Sequence, residues 1–322
     1  MKKILPITLA ALLAAVMFTG CSSTIAPNIT KDNKISVVTT IFPPYDFTRA
    51  IAGGKADISM LLAPGAETHS FEPTPQDILK IQNCDVFIYV GGESDDWVKG
   101  ILGSMDTSKI KIITLMGCVE VVEEEVIAGM QDQEESGKSA EGEEESPEYD
   151  EHVWTSPRNA KLIAQKISDA LCEVDAGNAE TYKANAASYL AQLDELDAKF
   201  QAVVANAARK TIIFGDRFPF RYFVDAYGLD YFAAFPGCMT EAEASPATVK
   251  FLIDKVKAEH IPVVFHIEMS NEKMANTIGE ATGAKVSLFH ACHNISQADF
   301  AAGKTYLDLM NANVIMLKEA LD

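Results

Sequence analysis

The chain has 322 residues, of which 48% are hydrophobic and 23% charged. That is enough apolar material for a core, and it excludes a chain disordered throughout. Lys and Arg number 27 against 46 Asp and Glu, a net charge of −19, which excludes the basic footprint of a nucleic-acid binder and leaves a cation as the better-matched ligand. Between Glu120 and Glu151 there are 14 acidic residues and one base, Lys138, for a net of −13, so the rest of the chain carries only −6.

Lys2 and Lys3 precede an apolar run over residues 4–18, short for a membrane span but right for the core of a secretory signal. It ends in Phe18-Thr19-Gly20-Cys21, which resembles a bacterial lipobox. Residues 1–21 are therefore expected to be a lipoprotein signal peptide, with Cys21 carrying the lipid that anchors the protein to the outer side of the cell membrane. The alternative is cleavage elsewhere, with Cys21 incidental. Residues 22–34 are polar and read as a tether. No later stretch is apolar enough to span a bilayer.

Short β-branched and aliphatic runs then recur between turn residues. Residues 35–41, 57–63, 85–91 and 111–115 form one set, and 211–215, 230–235, 262–268 and 285–290 a second. Helical patterns lie between them, for example over 248–259 and 272–282. Apolar strands alternating with helices imply parallel sheets covered on both faces. The expected fold class is α/β, with two lobes each holding a parallel sheet flanked by helices. The expected limits are 35–157 for the first lobe, with an acidic insert at 120–151, then 158–209 for a helical linker and 210–322 for the second lobe. In the linker, Ser156-Pro157 reads as an N-cap and first helical residue, with Ile163, Ile167 and Leu171 on one face. Asn178 is a candidate cap for a second helix, whose apolar stripe is Tyr182, Ala186, Tyr189, Leu193, Leu196, Phe200 and Val203. A helix that long is expected to act as a stiff backbone limiting hinge motion. The acidic insert reads as solvated chain, or alternatively as a loose carboxylate comb for hard cations.

Apart from Cys21 there are five cysteines: Cys84, Cys118, Cys172, Cys238 and Cys292. The odd count leaves at least one thiol free. Cys238 and Cys292, both in loop-like stretches, are the first candidates for a disulfide, and Cys84 reads as a small buried hydrophobe.

Six histidines are present: His69, His152, His260, His266, His290 and His293. The sequence holds no H-E-x-x-H, G-x-S-x-G, phosphate-binding loop or dinucleotide fingerprint, so no catalytic motif is visible and no enzyme is expected. His69, His152 and His290 each follow a strand-like run, which is where open parallel sheets gather ligands. His260 reads as a cation at a helix end, His266 as a core or near-cleft residue, and Trp97 and Trp154 as packing.

His69 with Phe71-Glu72-Pro73-Thr74-Pro75 resembles the motif H-x-Y-E-P-T-P. The stretch around His152 resembles D-P-H-V-W-L-S-P, and residues 306–313 resemble a closing helix of the same family. From about residue 35 to the end, acidic insert aside, the chain resembles the zinc- and manganese-binding solute-binding lipoproteins of bacterial ABC importers. The resemblance implies two lobes bridged by a long helix, one metal in the cleft, and a membrane permease as partner. It implies His69 and His152 as ligands from the first lobe and His290 at the position after the last strand, with His293 close enough to compete. The third family position falls on Arg217, which has no lone pair to give. Either Arg217 turns away to a carboxylate (Asp216, Glu241 and Glu243 are candidates), or the site has three protein ligands and water, a sound zinc arrangement. Imidazole donors favour zinc over manganese. The expected function is capture of zinc outside the cytoplasm for delivery to the permease. The alternatives are manganese, a metal–anion chelate held through Arg217, a zinc-dependent surface enzyme, and an adhesin.

Overall fold

A computed structural model describes residues 34–67, 71–130, 148–237 and 244–322. The signal sequence, Cys21, most of the tether, His69, Cys238, Glu241, Glu243 and the middle of the acidic insert lie outside the described residues.

The first sheet contains β1 (Ile35–Thr39), β2 (Ala56–Met60), β3 (Val86–Tyr89) and β4 (Lys111–Thr114), in the order β2-β1-β3-β4. The second contains β5 (Thr211–Phe218), β6 (Asp230–Pro236), β7 (Val263–His266) and β8 (Lys285–Leu288), in the order β6-β5-β7-β8. Every pairing is parallel. In both sheets the first strand is internal, so the chain order reverses beside it, and the crevice at the strands' carboxyl ends is the natural ligand position.

Helices α1 (Phe42–Ala52), α2 (Pro75–Gln82), α3 (Asp96–Gly103) and α4 (Pro157–Val174) accompany the first sheet. Helices α6 (Arg221–Tyr227), α7 (Pro246–Ala258), α8 (Lys273–Thr282), α9 (Gln297–Ala301) and α10 (Tyr306–Leu321) accompany the second, with α5 (Ala179–Ala205) between the two groups. Ser156 and Asn178 stand at the expected N-cap positions, with Pro157 opening α4, but neither makes a side-chain cap bond; the Asn178 amide donates instead to Asp175 Oδ2 at 2.7 Å. The 27 residues of α5 reach about 40 Å at 1.5 Å per residue. Its buried stripe is the expected one except at the end, where Val204 is buried and Val203 only half-buried. The helix packs on α1, α4, α6 and α10.

The largest of three apolar clusters runs through both lobes, holding Val37, Phe47 and Trp154 together with Phe214, Phe289 and Leu321. Phe47 of α1 meets Tyr306 of α10 edge-on, with centroids 5.0 Å apart. The Tyr306 hydroxyl donates to Trp154 O at 2.7 Å. Cys292 belongs to this core as a fully buried free thiol; the other half of the expected Cys238–Cys292 disulfide, Cys238, lies outside the described residues.

The acidic insert is anchored at its root. Glu123 and Tyr149 form an antiparallel bridge, Glu124 N donates to Glu148 O at 2.9 Å, and Asp150 N donates to Val122 O at 3.0 Å. Glu151 is buried and accepts from Ser94 N at 3.2 Å and from the Ser94 hydroxyl. The ends of the segment are therefore built structure, contrary to the reading of one solvated run.

Candidate metal centre

The first lobe supplies His152. It follows the root of the insert and precedes a short turn, Val153–Thr155, that leads into α4. The ring is fully buried. Asp150 Oδ1 accepts from the His152 backbone N at 2.8 Å and lies 3.1 Å from Nδ1, which fixes the ring plane and aims Nε2 away from the carboxylate. Burial opposes the charged ring, but the Asp150 carboxylate beside it outweighs that and raises its pKa above 6.5. Gly237 covers the other side: a Cβ there would sit 3.0 Å from His152 Cε1 and 3.1 Å from Phe218 O. Only a residue without a side chain lets the end of β6 approach this ring.

The second lobe supplies His293, in the loop after β8. Its ring meets that of His152 edge-on at 5.3 Å and that of Trp154 at 4.8 Å. The loop is tied to the first lobe. Trp154 Nε1 donates to Ala291 O at 2.8 Å. The Asn294 amide donates to Ala63 O at 2.9 Å and Ala66 O at 2.8 Å, and Gly65 N donates to Ile295 O at 2.8 Å. His152, His293, Glu67, Arg217 and Glu268 line one cavity of about 20 Å³, room for about one water-sized occupant.

Arg217 enters this cavity because β5 is bulged. Between Phe214 and Arg217 the register with β6 slips, three steps on β5 against two on β6 (Phe214↔Ala233, Arg217↔Phe235). A bulge re-aims the side chain that follows it. Gly215 sits in the bulge with α8 close against it, where a Cβ would lie 2.5 Å from Ala275 Cα. Arg217 donates to Glu67 Oε1 at 3.2 Å across the lobes. Asp216, one of the expected partners, instead accepts from the backbone N of Arg217 at 2.8 Å and of Ile267 at 3.2 Å.

The whole-chain comparisons decide the relationship. Residues 37–320 match the model of a family described as the zinc-uptake complex component A, periplasmic. The chain belongs to this family. It is 31% identical over 323 residues to the zinc-binding lipoprotein AdcA of Streptococcus pneumoniae strain R6, a match covering 100% of this chain and 62% of that protein. The chain thus spans under two thirds of the length of its streptococcal relatives. It is 30% identical over 313 residues to the high-affinity zinc uptake system protein ZnuA of Bacillus subtilis, covering 97% of this chain and 96% of that one. Among solved structures, the Zn(II)-bound ZnuA-like domain of AdcA superposes with a TM-score of 0.73 at 29% identity, covering 90% of this chain and 99% of that one. The metal-dependent lipoprotein YcdH of B. subtilis gives 0.74 at 28% identity, covering 89% and 99%.

In this family member the sequence-derived site residues divide. His69 lies outside the described residues, although Ala66 and Glu67 just before it line the cavity. His152 is in the cavity. His290 is not: it lines a second cavity of about 180 Å³ with His266, Glu272, Ser296 and Asp299. Asn313 holds it there, accepting from His290 N and donating to His290 O, each at 2.8 Å. Burial lowers the His290 pKa to about 4. The loop turns through Cys292 at φ +60°, and it is His293 that meets His152. Among the described residues, no three His, Cys, Asp or Glu side chains converge closely enough to hold an ion. His260 is exposed at φ +52° just past α7.

Glu268, just past β7, was not singled out from sequence. It is half-buried, and desolvation raises its pKa to about 7 despite the N–H groups of Ala291 and His293 that donate to it. The available signal was its place at the end of an apolar strand, the position already used for the histidines.

Proposed function

We propose that this protein captures a zinc ion outside the cytoplasm and delivers it to an ABC permease, without catalysing a reaction. The observation that carries this reading is the ion-sized cavity in which His152 of one lobe faces His293 of the other. His69, supplied by the sequence motif, completes three nitrogen donors with these two, and water fills the fourth position of a tetrahedral zinc. Imidazole donors favour zinc over manganese. The Arg217–Glu67 pair takes the place of a further ligand in the cavity wall. Residues 1–21 direct export, lipid on Cys21 holds the chain to the membrane, and 22–34 tether the two lobes (35–157, with its insert at 120–151, and 210–322, joined by 158–209).

Isothermal titration with zinc, together with metal content by mass spectrometry, tests this reading. Wild type should take one tightly held ion. His152→Ala and His293→Ala should each weaken binding at least tenfold, and His290→Ala should leave it near wild type. Undiminished zinc binding in His152→Ala, or no zinc bound by wild type, overturns it.

A further inference from the structure

The loop of residues 291–294 carries His293 toward the cavity and Asn294 toward the first lobe, and it converges on a single side chain. Glu268 Oε2 accepts from Ala291 N at 2.7 Å and Oε1 accepts from His293 N at 2.9 Å. Successive backbone N–H groups can turn inward together only if the chain curls, and it does so at Cys292, a non-glycine residue at φ +60°. The N–H groups on either side of Cys292 thus converge on the Glu268 carboxyl group, an arrangement like an anion-binding nest. A non-glycine residue held in this region is strained, so the curl has to be sustained by what it surrounds. The tie lies directly under the metal-facing ring: a carboxylate bonded to the His293 backbone sets where that imidazole starts, and the contacts with His152 and Trp154 set how it turns.

We infer that Glu268 is the positioning residue of the metal centre, holding the 291–294 loop in the curl that presents His293 to the ion. This rests on the zinc reading above and adds to it a carboxylate whose two oxygens are both engaged by backbone N–H groups of the loop. Replacing the carboxylate by an amide puts an N–H donor opposite a backbone N–H, so one of these two bonds is lost. The loop can then relax at Cys292, and the His293 ring loses its fixed approach. Groups that orient a ligand from behind commonly cost 10–100-fold in metal affinity when changed.

The test is a double-mutant cycle on zinc affinity with Glu268→Gln and His293→Ala, run with Co(II) absorption at saturating metal. Glu268→Gln should weaken zinc binding about tenfold or more in the wild-type background and by less than threefold once His293 is already alanine. Its saturated Co(II) spectrum should shift toward that of His293→Ala. A role limited to general stability would lower the melting temperature but leave the saturated spectrum unchanged. Glu268→Asp keeps the charge on a shorter arm and reads the same coupling should the amide variant fold poorly. An equal loss in both backgrounds, or a wild-type spectrum at saturation, overturns the positioning role while leaving the zinc reading intact. Failure of wild type to bind zinc overturns both.

Discussion

Substituting Gly237 by alanine perturbs the metal centre without touching a donor atom. The new Cβ would stand 3.0 Å from His152 Cε1, 3.2 Å from Nδ1 and 3.1 Å from Phe218 O, whereas carbon atoms in contact settle at about 3.5–4.0 Å. The carbonyl cannot yield much, because Phe218 is paired with Pro236 in the sheet. The ring must therefore retreat by about half an ångström, more than the ~0.2 Å tolerance of metal–ligand bonds. His152 is fully buried and tied to Asp150, so it has little slack. Overpacking of this kind costs about 1–3 kcal/mol, which corresponds to zinc binding weakened by about 5–150-fold. Competition against a fluorescent chelator at pH 7.5 measures the affinity, and a thermal melt of the metal-free protein verifies the fold. An affinity within twofold of wild type, in a variant that melts normally, would refute the claim that the end of β6 packs His152 into place.

Three further outcomes are expected. Gly215→Ala drives a Cβ to 2.5 Å from Ala275 Cα and 2.7 Å from its N; both are backbone atoms, so thermal melts should show a loss of at least about 1–3 kcal/mol and a disturbed bulge at Arg217. The His152 pKa is raised above 6.5 by Asp150, so the stability from this contact is complete below pH 6.5 and is lost as pH climbs through the folded value. Zinc needs the neutral ring and is therefore opposed by acid; Asp150→Asn should move the pH midpoint of zinc loss downward in a pH-dependent titration, and an upward or absent shift would contradict this. His290 has the opposite sign: its value falls from 6.5 to about 4, so stability present above pH 6.5 is lost as pH drops toward 4, by about 3 kcal/mol. His290→Gln should flatten that part of the acid-unfolding curve followed by circular dichroism.

Much of the architecture was legible in the chain because strand and helix periodicities differ. All eight strand-like runs are strands, and the stripe along α5 is buried nearly as read. The end of that stripe slipped from Val203 to Val204 because 3.6 residues per turn fits a strict 3–4 spacing only locally. The site was less legible. His290 and His293 stand three residues apart after the same strand, and either could have faced the cleft. The choice is made by a positive φ at Cys292 and by Asn313 seizing the His290 backbone, neither of which has a sequence signature. Arg217 could be placed at a ligand position by motif, but its partner, Glu67, is 150 residues away. Glu268 has no sequence signature, since its meaning lies in backbone amides that only folding assembles.

The shared core has a consequence for how cargo could leave. Prising the halves apart would wet Phe47, Tyr306 and Trp154, which are fully buried where the lobes meet. Each such ring hides about 150–250 Å², or about 4–6 kcal/mol at 25 cal/mol per Å². Thermal gaping on that scale is too rare to serve as an exit. A smaller opening would move only the strip from Ala291 to Ile295, which is tied to the opposite lobe by four hydrogen bonds and adds only Ala291, Cys292 and Ile295 to the shared core. A receiving protein would then need to tug on one small strip instead of springing the whole molecule open.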